Sequence, residues 1–217
     1  MVQHFARTIY FVLALAAVFS GAAQAADRPL RIVVLGDSLS AGYGLPADAA
    51  FPAQLSRALE AKNIAAEIGN AGVSGDTASG GLSRLDWSVP EGTEGVILEL
   101  GANDALRGID PKVTRAALES ILSRLKERKI AVLLAGMRAP RNMGADYVRA
   151  FDVIFPSLAS AHGAVFYPFF LEGVAADPKL NLPDGLHPTA AGIEIMVKNI
   201  MPKVEELIAR VRAARGS

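Results

Sequence analysis

The chain has 217 residues, 51% of them apolar, with 22 Lys plus Arg against 22 Asp plus Glu and no cysteine. Balanced charge gives it no electrostatic claim on nucleic acid or an anionic membrane surface. The missing thiols exclude disulfides, thiolate metal sites, a thiol nucleophile and a lipid anchor on cysteine, so stability must come from a buried core.

In chain order, residues 1–25 read as an export signal. His4 and Arg7 precede an apolar run from Ile9 to Phe19, and Ala23-Gln24-Ala25 forms a small-x-small cleavage site. The run is shorter than the ~20 residues a membrane-spanning helix needs, and no second such stretch follows. These residues are set apart from the fold, with cleavage expected after Ala25 and a periplasmic or secreted destination. Residues 26–217 are expected to form one domain. Losing Arg7 leaves 21 basic residues against 22 acidic ones, a formal charge of −1.

Leu30 to Leu35 is a nearly unbroken apolar run rich in β-branched residues, and similar runs recur at Gly95 to Leu100, Ile130 to Ala135 and Ala164 to Phe169. Continuous rather than alternating apolarity indicates strands buried on both faces. Segments with helical spacing lie between and after them, at Phe51 to Lys62, Lys112 to Arg128, Ala145 to His162 and Thr189 to Ala213. The alternation predicts a parallel α/β sheet, with Ala65 to Ile68 as a weaker fifth strand in a doubly wound sandwich. Such sheets bind ligands outside the carboxyl ends of their strands, so a candidate site should be sought just after strands.

Four stretches meet or approach that condition: "GDSLSAG" from Gly36, "GNAGVSGDT" from Gly69, "LGAND" from Leu100 and "DGLHP" from Asp184. Each alone is also an ordinary turn or helix cap, with Asp184 to Pro188 readable as a helix start. Histidine supply narrows the choice, because past residue 25 there are only His162 and His187. His162 stands where a helix ends at Gly163, a place that favours a cation structurally. His187 lies three residues after Asp184. On a helical turn that spacing lets the carboxylate hold Nδ1–H and leaves Nε2 free as a base. A metal at Asp184 and His187 would need further ligands that the sequence hardly offers.

A serine nucleophile is then sought at a strand end. Ser38, two residues after Gly36, is the candidate; Ser74 is a rival, Ser40 reads as a cap or turn residue, and Asp37 as a brace of the loop. Acyl transfer also needs hydrogen-bond donors for an oxyanion, and the candidates are the N–H of Ser38, the N–H of Gly75 and the side-chain amide of Asn103. Gly75 to Arg84 and Arg138 to Asp146 are the segments expected to line an acyl pocket, with Met137, Pro140, Met143 and Tyr147 giving the second an apolar face. A core or lid-packing role fits that face equally well.

"GDSLS" around Ser38, "SGDT" around Gly75, "GAND" with Asn103 and "DGLHP" with Asp184 and His187 resemble, in order and spacing, the four blocks of the GDSL or SGNH hydrolases. The wording "GDSLSAGYG" and "NDALRG" is nearest the bacterial periplasmic members called arylesterase, acyl-CoA thioesterase or lysophospholipase. The resemblance implies a flavodoxin-like three-layer α/β/α sandwich with a five-stranded parallel sheet, and hydrolysis of small-molecule acyl esters and thioesters without a cofactor. It makes Ser38 nucleophile and first oxyanion donor, Gly75 and Asn103 the other donors, and Asp184 and His187 the rest of a triad. The alternatives are a carbohydrate O-acetylesterase of the same superfamily and a ligand-binding module without catalysis.

Overall fold

Strand β1 (Leu30–Gly36) is buried at every position except Arg31, as its unbroken apolar run requires of a strand covered on both faces. The computed structural model describes residues 28–216, so the expected export signal lies outside the described residues. β1 pairs in parallel with β2 (Ala66–Gly72) on one side and β3 (Gly95–Glu99) on the other; β4 (Ala131–Ala135) and β5 (Val165–Tyr167) extend the sheet beyond β3. The strand order β2-β1-β3-β4-β5 is that of a flavodoxin-like doubly wound sheet.

Helices cover both faces. On one, α2 (Phe51–Ala61) packs on β2 and against the long α9 (Ala190–Arg215), which also covers β3, β4 and β5. On the other, α6 (Pro111–Glu127) packs against β4, α3 (Ala78–Ser83) and α8 (Ile154–His162). Each buries an apolar stripe, such as Phe51, Leu55 and Leu59 of α2 and Leu118, Ile121, Leu122 and Leu125 of α6. Among the described residues no helix is long and apolar enough to cross a membrane.

Several boundaries differ from the sequence expectation. The weak second strand runs on to Gly72, because register with all of β1 supplies hydrogen bonds that Asn70 and Gly72 would not attract by propensity. The helix expected from Ala145 to His162 breaks at Val153 into α7 (Ala145–Asp152) and α8: Pro156 has no N–H to donate to the carbonyl of Asp152. The strand expected to reach Phe169 stops at Tyr167, just before Pro168. Asp184 to Pro188 is an irregular turn; the final helix starts at Ala190, where the side chain of Thr189 accepts from Gly192 N–H.

Register then sets the site. Gly36 is paired with Gly72 on one side and Glu99 on the other, so three strands end at one level and release their loops side by side.

Candidate active site

After Gly36 the chain turns directly into the short helix α1 (Ser38–Ala41), with Asp37 as its cap: Asp37 Oδ1 accepts Leu39 N–H at 3.0 Å. Ser38 is 8% exposed, at the carboxyl edge of the sheet. From the far end of the chain, the turn before α9 brings His187 Nε2 to 2.9 Å from Ser38 Oγ, across 149 residues of sequence.

That turn is built on Asp184. Its Oδ1 accepts the backbone N–H groups of Leu186 (2.9 Å) and His187 (3.0 Å), and its Oδ2 meets His187 Nδ1 at 2.7 Å. The same three bonds, led by the His187 backbone N–H, pull the carboxyl down to about 2, so an exposed Asp184 is ionised at neutral pH. A carboxylate only accepts, so Nδ1 carries the ring proton and the Nε2 lone pair faces Ser38. The one-sided placement of Asp184 and His187 expected from a helical turn is thus achieved by a carboxylate that organises an irregular one.

Beneath Ser38 lies a residue that sequence reading passed over. Glu99, the last residue of β3, is completely buried, and its Oε2 accepts Asp37 N–H at 3.2 Å and Ser40 Oγ–H at 2.6 Å. Its signal in the sequence was a single acid inside the apolar run "GVILEL". The fit is close: a Cβ on Gly36 would stand 2.3 Å from Ser40 Oγ and 2.4 Å from Glu99 Oε2. Glu99 Oε1 is buried without a hydrogen-bond partner, and burial beside Asp37 pushes the Glu99 carboxyl well up, toward the neutral form that such a place favours. Burial likewise raises Asp37 to about 6. Ser40 is therefore buried within α1 and bound to Glu99; it is neither a cap nor an exposed turn residue. Asp37 braces the loop as expected.

Asn103 belongs to α5 (Ala102–Leu106), which follows β3. Its Nδ2 donates to Asp37 Oδ2 at 3.1 Å and to Asp76 O at 3.0 Å, joining the residue before Ser38 to the residue after Gly75. The three candidate donors are thereby drawn into one neighbourhood, with both amide protons of Asn103 engaged. Two arginines hold the Gly75 loop: buried Arg84 reaches Asp76, Ala71 O, Ser88 Oγ and Gly36 O, and Arg107 Nη2 donates to Gly75 O at 2.8 Å. Asp104, also buried, accepts from Ala78 N–H and Thr114 Oγ1–H and so fixes α5 against α3 and α6. The rival Ser74 is exposed, and the imidazole faces Ser38 instead. His162 ends α8 before Gly163, whose φ of +65° closes the helix as the sequence suggested.

The model of the GDSL-like lipase/acylhydrolase family matches residues 34–195. The chain belongs to this family. An arylesterase of Vibrio mimicus is 40% identical over 170 residues, 78% of this chain and 84% of that one. The Escherichia coli thioesterase 1/protease 1/lysophospholipase L1 is 38% identical over 187 residues, 84% of this chain and 87% of its own. Among solved structures, AlinE4, an SGNH-hydrolase family esterase, is 47% identical with a TM-score of 0.70, over 82% of this chain and 96% of that one. The protein is a GDSL/SGNH hydrolase acting on acyl esters, and the flavodoxin-like three-layer expectation holds. A non-catalytic binding module is set aside.

In this GDSL hydrolase the apolar face expected around Arg138 to Asp146 divides. Met137 is buried in the core, and Tyr147 is tied by its hydroxyl to Ile109 O at 2.9 Å, so both support the scaffold. Pro140 and Met143 remain partly accessible.

The buried carboxyls make stability depend on pH. A carboxyl that titrates at about 6 in the fold instead of its ordinary 3.8 keeps a proton that the unfolded chain has already released, so folding weakens as pH rises through that window. For Asp37 the fall amounts to about 2 kcal/mol between pH 4 and 6. Urea unfolding at pH 4.5 and 7 should show the native protein losing stability across this range and Asp37→Asn losing distinctly less. Equal losses in the two proteins would contradict the buried-carboxyl account.

Proposed function

We propose that the protein is an exported serine esterase that hydrolyses acyl esters and thioesters through Ser38, His187 and Asp184. The observation that carries this reading is the unbroken line from Asp184 Oδ2 to His187 Nδ1 (2.7 Å) and from His187 Nε2 to Ser38 Oγ (2.9 Å). His187 takes the Ser38 proton as Oγ attacks the acyl carbonyl, then gives it to the departing alcohol or thiol. Water repeats the attack on the acyl-enzyme: His187 accepts the water proton and returns it to Oγ as the carboxylic acid leaves. Asp184 stays ionised throughout and stabilises the imidazolium.

The oxyanion is assigned to Ser38 N–H, Gly75 N–H and the Asn103 amide. Because both protons of that amide are bound to Asp37 and Asp76 at rest, Asn103 serves the oxyanion by exchanging or sharing one of these bonds as negative charge develops. The names of the relatives support aryl esters, acyl thioesters and lysophospholipids as the substrate classes. The leader-like pattern of residues 1–25 supports export to the periplasm or beyond, with residues 26–217 as the working domain.

Ser38→Ala should abolish turnover of p-nitrophenyl esters and of acyl-CoA while the melting curve stays native, and a phosphonate label should map to Ser38. His187→Ala should do the same, whereas His162→Ala should alter stability alone. Labelling at Ser74, or equal loss from both histidine variants in folded protein, would overturn the triad. Hydrolysis confined to acetylated carbohydrate would replace the substrate assignment.

For Asn103, Asn103→Ala should lower kcat far more than it raises KM, by about 3 kcal/mol in activation free energy. Asn103→Asp should be at least as damaging, because a carboxylate repels the oxyanion. An active Asn103→Asp variant in steady-state assays removes Asn103 from the oxyanion hole.

A further inference from the structure

Tyr43 is a large aromatic residue left 52% exposed, yet its ring centroid lies 4.4 Å from that of His187, with the planes 35° apart. Both sides of its loop are fixed. Tyr43 N–H donates to Ser38 O at 3.2 Å, so the ring hangs from the turn that presents Ser38. The next residue, Gly44, has a φ of +73° and approaches Leu182 so closely that a Cβ would stand 2.8 Å from Leu182 Cδ1. Leu182 N–H in turn donates to His187 O at 2.7 Å. One short segment therefore touches the turns of both Ser38 and His187.

We propose that Tyr43 is a positioning residue for His187, covering a face of the imidazole and favouring the imidazolium that exists only while His187 holds a proton in transit. The assignment rests on the Ser38–His187–Asp184 reading. Two hydrogen bonds hold the imidazole by its edges, to Asp184 and to Ser38. Neither restrains a face. A ring within about 6 Å of a cation attracts it through its π electrons, and a tilted stack also resists rotation that would swing Nε2 away from Oγ. The charged groups that act on the ring are Asp184 and, from the floor of the site, Asp37; both are acids that attract a cation from other directions.

The test compares Tyr43→Phe with Tyr43→Leu. The substrate is p-nitrophenyl acetate, whose acyl group is too small to report on chain binding. Tyr43→Phe should stay within about twofold of native, because the ring face is kept. Tyr43→Leu should lower kcat about two- to fivefold with KM unchanged, and should move the acid limb of kcat/KM down by about half a pH unit. Native kcat and pH profile in Tyr43→Leu, a raised KM at constant kcat, or equal damage from phenylalanine and leucine would each overturn the proposal. Should the leucine variant lack a native melting transition, Tyr43→Met takes its place, with apolar bulk and no ring. Failure of the triad reading looks different: His187→Ala by itself would then retain activity.

Discussion

Gly36 stands between Gly72 and Glu99 in the sheet, and this register is the constraint from which the site follows. Parallel strands can assemble residues from distant parts of a sequence only if their carboxyl ends finish together, since loops of a few residues cannot make up a large offset. Because β1, β2 and β3 do finish together, Asp37, Asp76 and Asn103 come within hydrogen-bonding distance. The turn carrying His187 then needs to reach only the rim of the sheet.

Below that rim the molecule accepts an unfavourable arrangement. Two carboxyls, Asp37 and Glu99, are buried beside one another, and one oxygen of Glu99 lacks a hydrogen-bond partner. What they provide is rigidity at the base of α1: Glu99 holds the Asp37 N–H and the Ser40 hydroxyl, while Asp37 holds Leu39 N–H and the Asn103 amide. Buried polar groups whose bonds converge on one short turn leave it few alternative positions, and a nucleophile gains from being held where its base already lies. Arg84 and Arg107 do for the Gly75 loop what Glu99 does for Ser38.

The rim contrasts with this floor. Asp184 is exposed and works through a local network in which one carboxylate shapes the backbone and orients the imidazole together. Its hydrogen bonds from the His187 and Leu186 N–H groups and from the imidazole keep it ionised, so the proposed base is oriented by a group whose charge is stable over the whole neutral range. Tyr43 adds an aromatic face from the Ser38 side, so the imidazole is approached by groups belonging to both ends of the chain.

Local chemistry was enough to read much of this from the sequence. Unbroken β-branched runs specify strands covered on both faces, helical spacing specifies the layers, and the order of "GDSLS", "SGDT", "GAND" and "DGLHP" singled out Ser38, Gly75, Asn103, Asp184 and His187. The break at Val153 was also present in the sequence, as Pro156. The role of Glu99 was not legible, since an acid within an apolar strand acquires a partner only once β1 is laid beside it and Ser40 folds over it. The extension of β2 to Gly72, the pairing of Tyr43 with His187 and the engagement of both amide protons of Asn103 likewise depend on neighbours tens to more than a hundred residues away. Which residue types stand at strand ends is legible along the chain, because that information is periodic and local. Which of them meet is settled by the fold, because contact is set by register and by the packing of loops that carry no period.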